Sequence, residues 1–126
     1  MPTIPFRADV RGTRELATIE LHGDIDLAAE AGLRGACDTA AALDASVVLL
    51  DFADAAYINS TGIALIVRLL TDARRDHREI RACGISPHYV RIFQITRLSD
   101  YMRIFDDAAA AEGATEDPTA TAEDQR

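Results

Sequence analysis

The sequence predicts an α/β fold, a single domain whose mixed, mainly parallel sheet opens on an N-terminal β-hairpin and continues in the order β-β-α-β-α-β-α-β. Three observations lead there. Residues 4–10 and 15–21 alternate apolar and polar side chains, the two-residue period of half-buried strands. Residues 46–52 (SVVLLDF) form a compact β-branched and leucine run, as in a strand buried on both faces. Segments of helical period then separate the later strand-like runs, and they are long enough for right-handed crossovers between parallel strands.

Taken in order, Arg11, Gly12, Thr13 and Arg14 supply the turn between the first two strands, which places a hairpin at the sheet edge. Residues 27–43 are alanine-rich with apolar residues at helical spacing, and residues 46–52 follow as the central strand. From 60 to 75 the helical period puts Ile63, Ile66, Val67 and Leu70 on one face, with Arg68, Thr71, Arg74 and Arg75 largely opposite. Residues 79–85 read as a strand. Ser86 and Pro87 open a third helix, the serine as cap and the proline at the first position, with Val90, Ile92 and Phe93 on its apolar side. Residues 101–105 form a short final strand. The domain is expected over 1–107. Residues 108–126 are poor in large apolar side chains and cannot offset their ordering entropy, so a disordered acidic tail is expected after one more helical turn at most.

A chain of 126 residues can build one core without staples, and its 48% hydrophobic content is ordinary for a globular protein. No apolar run approaches the roughly 20 residues that span a bilayer. Pro2, Pro5, Arg7 and Asp9 interrupt any signal-peptide core, so a cytoplasmic protein without membrane insertion is expected. The formal charge is −8, and seven acids against one arginine in residues 106–126 contribute −6 of it. This balance speaks against direct nucleic-acid binding, because phosphate backbones attract clustered cations. The densest arginine stretch, residues 74–81, reads as a solvated helix end. Cys37 and Cys83 are flanked by alanines and apolar residues and read as small buried side chains, not as a disulfide or metal pair.

Enzyme signatures are missing: there is no phosphate-cradling glycine run, no paired-histidine helix and no nucleophile elbow. His22, His77 and His88 fall in separate elements and read as solvent-facing or capping residues, so neither a metal nor a cofactor is expected. Asp24, Asp26, Asp51 and Asp54 could act as acids or bases only in a pocket, and the sequence outlines none.

The most informative stretch is Tyr57-Ile-Asn-Ser-Thr-Gly-Ile63, which joins the central strand's exit to the second helix. Asn59 or Ser60 can accept from an orphan amide of the first turn, stabilising by about 1 kcal/mol. An exposed hydroxyl at that point can also receive a phosphoryl group, whose charge of about −1.5 to −2 would face the positive end of the helix dipole. Such a change rewrites a surface and leaves the fold intact.

These residues resemble the STAS-domain family, specifically the bacterial anti-sigma factor antagonists. Gly23-Asp-Ile-Asp26 is similar to the family's Gly-Glu-Leu/Ile-Asp turn before the first helix, and residues 57–62 to its Asp-Ser-Ser/Thr-Gly phosphorylation motif. Ser86 and Pro87 through Phe93, then Thr96-Arg-Leu98, resemble the closing landmarks. The resemblance covers residues 4–106 in matching order. It implies a non-enzymatic partner switch, with Ser60 the phosphoacceptor and Asp24, Asp26, Asn59, Thr61, Gly62 and Ile63 in the partner-binding surface. The unmodified protein would capture an anti-sigma factor serine/threonine kinase and free the sigma factor. Phosphorylation would reverse the exchange, the kinase bringing its own ATP and Mg²⁺, and a serine phosphatase would restore the binding form. Two positions depart from the pattern. Asn59 stands where the family has aspartate, keeping the cap and removing a charge, and Arg97 takes the glycine place of the Thr/Ser-Gly-Leu landmark. Asn59 also motivates an alternative, a constitutive STAS scaffold in a transporter-associated or stressosome-like complex. A hydrolase built on Ser60 lacks any visible oxyanion donors.

Overall fold

A computed structural model describes residues 4–114. Strands β1 (Arg7–Gly12) and β2 (Leu16–Ile25) form the hairpin; a 3₁₀ turn (Leu27–Ala29) leads into α1 (Glu30–Ala42), and β3 (Val47–Ile58), α2 (Ser60–Arg75) and β4 (Glu79–Cys83) follow. Helix α3 (Pro87–Ile95), a second 3₁₀ turn (Leu98–Asp100), β5 (Arg103–Phe105) and α4 (Ala108–Gly113) complete the described chain. The five strands lie in sequence order, with β1 antiparallel to β2 and every later pair parallel.

The central strand is longer than its apolar run, extending six residues past Phe52 to Ile58. Those residues stay in strand because β2 keeps pairing with them as far as Ile25–Ile58, a non-local contact with no local sequence signal. Register shifts between Glu20 and His22 and between Gly23 and Asp24 leave two extra residues on β3. Such bulges bend and twist a strand.

One sheet face carries Ile19, Leu21, Leu50, Phe52, Ile80 and Ala82 against Leu33 and Ala36 of α1, Ile66, Leu69 and Leu70 of α2, and Phe93 of α3. Phe52 meets Phe93 edge-on at 5.9 Å between ring centroids, a favoured aromatic geometry. The buried stripe of α2 is Gly62, Ile66, Leu69, Leu70 and Ala73. Val67, placed on the apolar face by periodicity, is exposed instead, because the stripe is rotated toward Leu69 and Ala73.

The opposite face is covered by α4. Ala111 is fully buried against Leu49 and Cys83, with Leu16, Phe105 and Ala108 packed around them. The folded region therefore runs past the boundary expected after residue 107, since Ala108 and Ala111 complete an apolar face that the sheet would otherwise expose. Asp107 caps α4 by accepting from Ala110 N at 2.8 Å. Residues 115–126, the remainder of the expected tail, lie outside the described residues.

Arg81 fastens this layer. It is 3% exposed, its Nε donates to Glu79 Oε2, and its Nη1 donates to the Ala111 carbonyl at 2.8 Å. Arg78 likewise donates to the Ala45 carbonyl and pairs with Asp44. These two arginines correct the reading of residues 74–81 as a solvated end: strand β4 carries Arg81 under α4, while Arg74, Arg75 and His77 remain exposed.

All three long helices end on a non-glycine residue in the left-handed region, Asp44 (φ 56°), His77 (φ 58°) and Arg97 (φ 65°). At each end these residues donate back into the last turn, Asp44 N to Ala41 O, His77 N to Arg74 O and Arg97 N to Gln94 O, the geometry that commonly favours glycine. Arg97 thus adopts the backbone that the missing glycine would supply.

Val48 is 5% exposed in the centre of the sheet. Val48→Asp is expected to bury an unpaired carboxylate at a cost of roughly 3–5 kcal/mol, a large part of a small domain's stability. Circular dichroism melts should show loss of the cooperative transition; a native-like melt would contradict the core assignment.

Candidate functional site

Parallel pairing of β2 with β3 brings the ends of both strands to one edge of the sheet, where Asp24 stands beside Tyr57 and Ile25 beside Ile58. The 3₁₀ turn leaves β2 there and α2 leaves β3. A Cβ on Gly62 would lie 1.9 Å from Ile25 O, so the first turn of α2 rests directly on the β2 main chain. The glycine is required by this approach, because any side chain would push the helix away.

Asn59 is the cap of α2. Its backbone is extended (φ −91°, ψ −177°), and its Oδ1 accepts from Gly62 N at 2.8 Å. Its own N–H donates to Ile25 O at 3.3 Å, and its carbonyl accepts from Ile63 N at 2.9 Å. Of the two capping candidates, Asn59 therefore takes the role and frees Ser60. The Ser60 side chain is exposed, and its hydroxyl has no hydrogen-bond partner among the described residues.

The flanking acids are engaged. Asp24 Oδ2 accepts from Ile4 N at 3.1 Å, and Asp24 N donates to Ile4 O at 2.9 Å, which ties the N-terminal segment across Gly23. Asp26 Oδ1 accepts from Ala28 N at 3.0 Å and caps the 3₁₀ turn. Thr61 and Ile63 are half-buried, whereas Gly62 is buried and faces Ile25. Asp24, Asp26, Asn59 and Gly62 thus shape the edge, while Ser60 is its open polar group.

Two exposed apolar side chains stand in the segments that meet at this edge, Leu27 in the 3₁₀ turn at 67% and Tyr57 near the end of β3 at 56% exposure. Sequence reasoning did not single them out for binding, since an apolar residue carries no sign of its own exposure; their positions between a cap and a strand end were the available signal. Tyr89 was also missed. Its hydroxyl accepts from Ile58 N at 2.9 Å, so α3 steadies the strand two residues before Ser60.

His22 departs from its solvent-facing expectation, because the strands on either side of β2 bring carboxylates to both ring nitrogens, Asp54 from its β3 partner position and Asp9 from β1. Nδ1 lies 3.0 Å from Asp54 Oδ2 and Nε2 lies 3.2 Å from Asp9 Oδ2. Asp51 Oδ1 accepts from Ala53 N at a β3 register shift. Among the described residues no group of three or more potential ligands could hold a metal ion. Burial pushes the Cys37 thiol up to about 11, helped by Asp38 and Asp72. The Cys83 thiol is pushed up to about 12 by burial and then by neighbouring Asp51. Both cysteines are free and suited to packing more than to nucleophilic chemistry.

A model of the STAS domain matches residues 7–111 of this chain. A relative from Listeria monocytogenes named "Anti-sigma-B factor antagonist" is 28% identical over 86 residues, covering 68% of this chain and 75% of that protein. Among solved structures, an anti-sigma factor antagonist from Mycobacterium paratuberculosis superposes with a TM-score of 0.74 at 15% identity, covering 89% of this chain and 95% of the other. The phosphorylated form of the Bacillus cell fate determinant SpoIIAA superposes with a TM-score of 0.60 at 21% identity, covering 96% and 99%. No helix among the described residues is long and apolar enough to cross a membrane.

Asn59→Ala is expected to cost about 1 kcal/mol in chemical denaturation, whereas Asn59→Asp keeps the cap and holds stability near wild type. Both thiols are raised above an ordinary value of 9.0, so their contribution is full below about pH 9 and falls as pH rises toward about 11 to 12. Denaturation curves across that window should lose less stability in Cys37→Ala than in wild type.

Proposed function

The chain belongs to the STAS domain family, and we propose that it is an anti-sigma factor antagonist whose grip on its partner is released by phosphorylation of Ser60. The observation that carries this reading is the free, exposed Ser60 hydroxyl at the first position of a 16-residue helix whose cap is supplied by the neighbouring Asn59. A hydroxyl needed for capping could not be modified without loosening the helix; this one can.

In the modification, Ser60 Oγ forms a bond to the γ-phosphorus of ATP as the bond to the β-phosphate oxygen breaks, and the hydroxyl proton leaves to a base of the kinase. ATP and Mg²⁺ belong to that kinase. The new charge of about −1.5 to −2 faces the positive end of α2, which favours it within the folded protein. Against a partner the same group is costly: it must be desolvated at the edge that carries Leu27 and Tyr57, and it adds to the charge of Asp24 and Asp26. Unmodified protein therefore binds the anti-sigma factor serine/threonine kinase and releases its sigma factor, phosphorylated protein lets go, and a serine phosphatase resets the cycle. The protein itself performs no catalysis and acts in the cytoplasm through protein contacts, without membrane or nucleic acid. With Asn59 in place of aspartate the added charge meets one fewer fixed anion, so the phosphorylated form is less penalised here.

Incubation with the cognate kinase and ATP, followed by mass spectrometric mapping, should place phosphate on Ser60. An unmodified Ser60, where a control antagonist is labelled, would sink the switch. Ser60→Asp should weaken kinase binding roughly tenfold or more in calorimetry, since like-charge juxtaposition costs several kcal/mol. Unchanged affinity would instead favour the constitutive scaffold.

A further inference from the structure

Strand β1 is the last strand on its side of the sheet, and the hairpin's phase fixes which of its main-chain groups face outward. Thr13 N donates to Leu16 O at 2.9 Å, which makes Thr13 and Leu16 a hydrogen-bonded pair. Such pairs alternate along an antiparallel ladder. The register therefore turns the main chain of Arg7, Asp9 and Arg11 toward β2 and that of Ala8, Val10 and Gly12 away from it. The outward amides and carbonyls of Ala8, Val10 and Gly12 bond to no described residue. An edge of this kind is a template for another strand.

Arg7, Asp9 and Arg11 project from one face of this edge in the order plus, minus, plus, while Ala8 and Val10 lie half-buried on the other. Two such edges can bond as antiparallel copies only when outward residues meet outward residues, so the two-fold axis passes through a residue. With the axis at Val10, Asp9 stands opposite the copy's Arg11, twice by symmetry, and Val10 meets Val10. With the axis at Asp9, Asp9 meets Asp9 and Arg7 meets Arg11. With the axis at Ala8, only the first three residues of the strand pair. Opposite charges directly across a strand pair are favourable and like charges are not, which selects the Val10 register. Asp9 and Arg11 already hold ion pairs within the chain, with Arg7 and His22 and with Glu20 and Glu112. Both side chains are still more than half exposed and can take a further partner.

Helix α1 fits the same arrangement. It packs on β1 and β2, so a two-fold axis at the outer edge of β1 brings α1 and its copy to about 10 Å, the separation of packed helices. The charged residues of α1, Glu30, Arg34 and Asp38, all line the groove it shares with α2. On its other side Gly32 meets the Phe6 ring beside β1, and Gly35, one turn on, has nothing within 4 Å of where a Cβ would stand. Thr39 follows on the same line and is exposed. That side is small and uncharged, and it admits a second helix closely. We propose that two copies of this chain associate through β1 in the Val10 register, joining two five-stranded sheets into one of ten strands with α1 packed on its copy. The antiparallel reversal puts the two Ser60 edges at opposite ends of the joined sheet, so each stays open to a partner. The dimer does not depend on the switch at Ser60.

Sedimentation velocity on the full chain across a dilution series, from micromolar to submillimolar, should show a reversible dimer. Asp9→Arg sets like charges at both symmetric pairs, as does Arg11→Asp, and each alone should weaken dimerisation about tenfold or more. Mixed in equal amounts, the two variants should associate again, because every contact between positions 9 and 11 then joins opposite charges. Mixing does not repair a loss of folding. Val10 N–H, followed by hydrogen exchange, should slow at least tenfold as wild type passes from monomer to dimer, and this readout on unmodified protein decides if either variant melts below wild type. A wild type that stays monomeric overturns the proposal and leaves the edge to a different chain. A mixture that stays monomeric, a dimer that survives both variants, or a dimer in which Val10 still exchanges freely also overturns it. Protection of Val10 in the monomer that ends on truncation after Ala114 overturns it too, assigning the edge to the chain's own C-terminal residues.

Discussion

The approach of Gly62 to the carbonyl of Ile25 is the contact on which the arrangement of the site depends. One oxygen both accepts from Asn59 N and lies where any side chain at position 62 would have to go. The end of β2 and the start of α2 are therefore held at main-chain distance. Asn59 is drawn into the extended conformation that a cap needs, and its carboxamide turns inward to Gly62 N. Ser60, next in line, is directed outward with nothing left to bond. Exposure of the hydroxyl is in this sense a product of packing one residue pair away.

The same edge is stiffened from three directions. The N-terminal segment crosses Gly23 and exchanges hydrogen bonds with Asp24, Asp26 holds the 3₁₀ turn, and Tyr89 reaches from α3 to Ile58 N. Each uses a polar group that could otherwise have met a partner. A surface so prepared loses little conformational entropy on binding, and preorganisation of this kind favours affinity. It also makes a charge added at Ser60 effective, since the surrounding groups have little freedom to move away from it.

On the opposite face of the sheet a different logic holds. Arg81 is carried under α4 on β4, and its pairing with Glu79 and the Ala111 carbonyl satisfies a charge that burial would otherwise make costly. Helix α4 thereby closes the second face over Leu49 and Cys83. This layer stabilises the scaffold and takes no part in shaping the surface around Ser60.

Much of this was legible in the chain itself. The period of residues 60–75, the cap and proline at 86 and 87, and the compact run at 46–52 predict their elements because each signal is local, set by side chains within one or two turns of one another. That one of Asn59 and Ser60 would cap the second helix was visible for the same reason. Only the tertiary structure decided the rest. β3 runs on to Ile58 because β2 is there to pair with it, Val67 is exposed because α2 is rotated toward Leu69, and Arg81 is buried because α4 folds over it. Asn59, not Ser60, caps because Gly62 is pressed onto Ile25. These outcomes depend on contacts between residues far apart in sequence, and no local pattern specifies which of two chemically suitable neighbours will meet them.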